Sequence, residues 1–163
     1  MMVVRPGPAF VFSHPAHVVA FGFGAGLAPV APGTFGTLLG WALGWTLGAL
    51  HPGPGLVLLT AIVFFGIGVW ACEVTGRHLG VADHGAMVWD EVAAFLLILA
   101  VVPRELAWQA AAFGAFRFFD VAKPPPIRFC ERRYGGGFGV MFDDLVAAGY
   151  ALLVLAALKR LFF

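Results

Sequence analysis

Three carboxylates, Asp83, Asp90 and Glu91, stand at the entry to a stretch, residues 92–102, that carries no charge at all. An acid at the middle of a bilayer costs roughly 2.5–3.5 kcal/mol, and nearer the interface it still needs a compensating partner. A helix begun at Asp83 would bring Asp90 round two turns later, about 10.5 Å along the axis and on nearly the same face. Glu91 would be rotated about 100° from it. Two further acidic groups, Asp120 and Asp143-Asp144, occupy the same kind of junction between loop and apolar run. Six of the nine Asp and Glu residues in the chain therefore lie at three such junctions. Oxygen donors of this kind suit Mg²⁺ or Mn²⁺ rather than Zn²⁺, and we expect them to converge on one divalent cation. Local roles compete with that expectation. Asp120 has Arg117 three residues before it and Lys123 three after, a spacing that pairs on helices, and Asp143 could merely cap the last helix.

Arg117, Lys123 and Arg128 bracket the turn after the fourth apolar run. Beside a cation they could hold phosphoryl oxygens, arginine through its two-pronged fork; head-group contact would also explain them. Two backbone segments could add anion contacts. In Pro32-Gly33-Thr34-Phe35-Gly36-Thr37, Thr34 is expected to cap a helix over residues 35–50, whose first amides would face an anion. That makes Pro32, Gly33, Thr34 and Thr37 candidate substrate-binding residues. In Gly135-Gly136-Gly137-Phe138-Gly139 the glycines let amides turn outward, so Gly136, Gly137 and Gly139 are candidates too. No G-x4-GK[ST] loop and no G-x-S-x-G elbow is present.

The elements that must position these groups are apolar. Of 163 residues, 61% are hydrophobic and 12% charged, against about 45–50% and 25% in ordinary soluble domains. A single integral membrane domain over residues 1–163 is expected. The net charge of +1 argues against a nucleic-acid partner. No cleavage site follows a hydrophobic run near the start, so no cleaved signal peptide is expected. Cys72 and Cys130 read as plain thiols, and His14 and His17 as surface or interfacial residues. Residues 18–30 fall below the about 17–25 residues of a span, which leaves a re-entrant or interfacial placement open beside a crossing. Apolar runs follow at 35–50, 56–72, 92–102, 106–119 and 145–158, separated by Gly/Pro turns and by polar loops at 73–85 and 123–142. The expected fold is all-α: a polytopic bundle of four to five short helices. Five of the ten basic residues lie in those two loops, which places them in the cytoplasm and puts the polar clusters on one membrane face. Gly36, Gly40, Gly44 and Gly48 form a stripe for close helix packing, serving a homodimer as readily as an internal contact.

Several stretches together resemble the phosphatidylglycerophosphatase A family. They are Gly24-Ala25-Gly26-Leu27-Ala28-Pro29 with Pro32 to Thr37, Asp83-His84-Gly85 with Val88-Trp89-Asp90-Glu91, Phe116-Arg117-Phe118-Phe119-Asp120 with Lys123-Pro124 and Pro126-Ile127-Arg128, and Gly136 to Asp144. The resemblance runs over about residues 20–150 and implies a Mg²⁺-dependent lipid phosphatase of the bacterial inner membrane. Such an enzyme converts phosphatidylglycerophosphate into phosphatidylglycerol. Asp90, Glu91, Asp120, Asp143 and Asp144 would then hold Mg²⁺, and Arg117, Lys123 and Arg128 would stabilise phosphoryl charge. Asp83 would take a proton from the attacking water, with His84 as second choice. A small cation transporter with an acid-lined pathway is the competing expectation; it requires acids near mid-membrane on facing helices.

Overall fold

The computed structural model describes residues 6–51, 53–125, 127, 129 and 133–162. Among them there is no strand. Two short helices, α1 (Pro8–Val11) and α2 (Pro15–Ala20), and a 3-10 segment (Gly22–Leu27) precede five longer helices. These are α3 (Pro32–Leu50), α4 (Pro54–Leu79), α5 (Trp89–Val101), α6 (Leu106–Ala122) and α7 (Gly136–Phe162).

Helix α5 is the centre of the bundle. Its residues Trp89 to Leu96 are buried on every face, and it packs against α3, α4 and α7 and touches α6. Thirteen residues make about 20 Å of helix, short of the roughly 30 Å hydrocarbon core. Two helices, α4 and α7, are long and apolar enough to cross a membrane. Residues 18–30 form no single long helix: they break into the end of α2 and the 3-10 segment, where Phe23 and Gly24 turn to positive φ.

The glycine stripe is used inside the chain. A Cβ on Gly36 would sit 2.7 Å from the Val88 carbonyl oxygen, and one on Gly40 would sit 2.9 Å from that of Val92. Gly44 faces Leu96 and Leu99. The stripe thus lets α3 lie directly on the backbone of α5, as small residues do between helices in lipid. Gly40→Ala should lower stability by about 1–3 kcal/mol, the usual cost of overpacking, because a backbone oxygen cannot swing aside. Thermal unfolding in detergent would measure it; an unchanged midpoint would mean the two helices are not in contact there.

Four sequence expectations change. The helix expected from Asp83 begins at Trp89 instead. The His84 ring nitrogen accepts from the Ala86 amide and the Met87 amide donates to the His84 carbonyl, so this stretch is a turn. The Val88 amide then donates to the Ala20 carbonyl, and Trp89 Nε1 donates to that of Phe64 at 2.9 Å. The loop expected at 73–85 is helical as far as Leu79, ending at Gly80 with φ +71, a conformation that favours glycine. The helix expected to be capped by Thr34 starts at Pro32, with Ala31 as the cap at φ 48. The loop expected at 123–142 stops at Gly136, so Asp143 and Asp144 lie two turns inside α7 and cap nothing.

Cys72 is a buried free thiol; Cys130 lies outside the described residues. His17 is buried rather than interfacial, stacked on Phe10 with its Nε2 2.7 Å from His78 Nδ1. Burial holds the His17 pKa below the ordinary value.

Candidate metal and phosphate site

The first turn of α5 supplies Asp90 and Glu91, where a helix start favours negative charge, and α7 supplies Asp144. All three side chains are buried, and one carboxylate oxygen from each lies within 4.8 Å of the others. Asp90 Oδ1, Glu91 Oε2 and Asp144 Oδ2 are buried without a hydrogen-bond partner. Asp83, Asp120 and Asp143 sit close enough to add to the negative field there. Buried oxygens left unsatisfied cost about 1–3 kcal/mol each, and crowded carboxylates resist ionising together. An all-oxygen donor set with three orphaned atoms turned inward fits a hard divalent cation.

Two cations flank the triad. Arg117 Nη1 donates to Asp120 Oδ2 at 2.6 Å and lies 3.5 Å from Glu91 Oε1. Lys123 Nζ donates to Asp143 Oδ2 at 2.7 Å. Lys123 closes α6 at φ 41, and Ala31 opens α3 at φ 48. Such left-handed conformations in residues other than glycine cost about 1–3 kcal/mol and cluster at functional sites. Gly33, at the start of α3, abuts the Glu91 carboxylate and the Arg117 guanidinium so closely that a Cβ would collide with both.

The predicted set therefore divides. Asp90, Glu91 and Asp144 form the triad, while Asp120 and Asp143 each hold a cation beside it. Asp83 is exposed on the turn before α5 and acts on Asp90 through its field. Pro32, Gly33 and Thr34 lie at the start of α3, next to the triad. Thr37 is buried and its hydroxyl donates to the Gly33 carbonyl at 2.9 Å. The glycines of α7 also depart from expectation. The Gly137 amide donates to Glu73 Oε2 at 2.7 Å, and Gly136 packs on the same carboxylate. The anion they meet is the chain's own. Gly139 closes on the Tyr134 carbonyl. Arg128 lies outside the described residues. Glu73 is the residue the sequence reading passed over; its i,i+4 partner Arg77, 2.6 Å away, was the available signal that α4 continues.

All these groups come from one end of the bundle: the starts of α3, α5 and α7, and the end of α6. The family model described as phosphatidylglycerophosphatase A matches residues 18–159. The chain belongs to the phosphatidylglycerophosphatase A family. It is 44% identical over 148 residues to the phosphatidylglycerophosphatase A of Haemophilus influenzae, covering 90% of each chain. It is 41% identical over 138 residues to that of Escherichia coli, covering 83% of this chain and 78% of the other. No solved structure matches. Membership in the phosphatidylglycerophosphatase A family makes the protein a phosphoric monoester hydrolase, and the triad with its flanking cations is the feature of its fold suited to that chemistry.

Proposed function

We propose that the protein is a Mg²⁺-dependent phosphatase that removes the terminal phosphate of phosphatidylglycerophosphate, leaving phosphatidylglycerol, at the cytoplasmic edge of the bacterial inner membrane. The observation that carries this is the buried triad with three orphaned oxygens, bordered by Arg117 and Lys123. The whole chain acts as one domain. Helices α3, α5 and α6 join α4 and α7 in the bilayer as a polytopic bundle, with the acidic end in the cytoplasm.

Asp90, Glu91 and Asp144 would hold Mg²⁺, which supplies Lewis-acid polarisation of a phosphoryl oxygen when bound. The chain's own groups do the rest. Arg117 and Lys123 place positive charge where the transferring phosphoryl group accumulates negative charge. Asp120 and Asp143 fix the position of those cations. The Gly33 amide adds the positive end of the α3 dipole; the Thr34 amide is taken by the Ala31 carbonyl at 2.9 Å. Asp83 takes the proton from the attacking water. Water oxygen bonds to phosphorus, the bond from phosphorus to the glycerol oxygen breaks, and that oxygen takes a proton from solvent as it leaves. Acids gathered at one end, instead of along the bundle axis, support this over a transport pathway.

The test is phosphate release from phosphatidylglycerophosphate in mixed micelles, with Mg²⁺ and with chelator. Release should require Mg²⁺. Folded protein that releases no phosphate at any Mg²⁺ concentration would sink the proposal.

A further inference from the structure

An apolar groove of about 780 Å³ runs down the outside of the bundle between the end of α5, the start of α6, and α7, and its wall begins at Val146, two residues after Asp144. Its walls include Val102, Trp108, Val146, Gly149, Tyr150 and Leu153. Volumes of about 300–1,000 Å³ are those of ligand sites. On α7, Asp143, Val146, Tyr150 and Leu153 follow one another at three, four and three residues, so they share one helix face. The charged end and the apolar groove are thus one continuous track. At its upper end Tyr150 lies against Phe119, ring centroids 5.4 Å apart, and Phe119 directly precedes Asp120.

Gly149 is the second observation. A Cβ there would meet no atom within 4 Å, so nothing in the chain requires glycine. Glycine inside a helix costs about 1 kcal/mol relative to alanine. Gly66 and Gly114 are equally open inside their helices; what sets Gly149 apart is that it lines the groove, where a bare backbone leaves room for a ligand. From Asp143 to Leu153 the track is about 15 Å long, half of the roughly 30 Å hydrocarbon core and hence the depth of one leaflet.

We infer that this groove holds one acyl tail of the phospholipid whose phosphate sits at the triad, with Gly149 as the contact that admits it. The inference rests on the phosphatase reading and adds to it a subsite selecting for tail length. A tail in the groove fixes the headgroup at the cations; a lipid without that tail docks by its phosphate alone.

The experiment uses the full chain in detergent, with phosphatidylglycerophosphate carrying either six-carbon or sixteen-carbon tails. Gly149→Trp and Leu153→Trp should each raise KM for the sixteen-carbon lipid about tenfold, leaving kcat unchanged and the six-carbon lipid unaffected. Gly149→Ala should behave as wild type. A KM unchanged in both tryptophan variants would overturn the inference, as would an equal rise for both lipids; if Gly149→Trp instead altered the oligomeric mass, the occupant would be a second copy. A parallel measurement does not depend on turnover: a phosphatidic acid with a photoreactive diazirine in its tail should label residues 146–153, and Gly149→Trp should abolish that labelling. Labelling there without phosphate release from wild type would overturn the phosphatase reading and keep the groove; release without labelling would do the opposite.

Discussion

Asp144→Asn should stop phosphate release, lowering kcat by at least about 10²–10³-fold, the cost of removing a single electrostatic group from a preorganised site. Asparagine keeps the shape of the side chain, so packing inside α7 is preserved. What changes is charge. Asp144 contributes one of the three orphaned buried oxygens, and an amide is a weaker ligand for a hard cation than a carboxylate. Two thermal measurements separate this from a folding defect. Without metal the variant should melt no lower than wild type, because one of three crowded acids has gone. With Mg²⁺ the wild type should gain stability by mass action, about 2.7 kcal/mol at a hundredfold excess over Kd, while the variant gains far less. Full turnover by purified Asp144→Asn would remove the triad from the mechanism.

The convergence of the acids was legible in the chain because acidic residues are rare in it and stand where apolar runs begin. Their division was not. Asp120 and Asp143 look no different in sequence from Asp90 and Asp144; only packing sets the first two against Arg117 and Lys123 and leaves the others without a cation in contact among the described residues. The spacing of Arg117 and Asp120 did carry a signal, since residues three apart meet on a helix. Helix boundaries failed where long-range bonds decided them. Nothing local shows that the Val88 amide will donate to Ala20, or that Glu73 will take the Gly137 amide; these bonds start α5 late and turn an expected phosphate loop into the first turn of α7. The period-four glycines announced close packing, and their partner α5 emerged only in the fold. Of the expected spans, α4 and α7 have the necessary length. The others are shorter or richer in small residues, because helices packed around a buried centre need not each be apolar throughout.

Arg117→Ala should reduce kcat by about 10²–10³-fold and also cost stability, and the two losses have separate causes. Arg117 joins three helices: it lies on α6, holds Asp120 at 2.6 Å, reaches Glu91 on α5, and lies against Gly33 of α3. Arg117 and Asp120 are half-buried, so removing one member should cost somewhat less than the about 3–5 kcal/mol of a fully buried pair, because water reaches part of the carboxylate left behind. Asp120→Asn in the same chain removes that orphaned charge, so the double variant should recover most of the lost stability. It should recover none of the lost kcat, since neither change restores positive charge beside the phosphoryl group. Arg117→Lys sharpens the distinction. It keeps the charge but lacks the fork that serves Asp120 and a second oxygen together, so it should fold well and remain slow. Melting temperature and kcat measured on the three variants decide the matter. If activity returns along with stability in the double variant, Arg117 is a strut between helices, and the phosphoryl charge must be met by Lys123 and the bound cation.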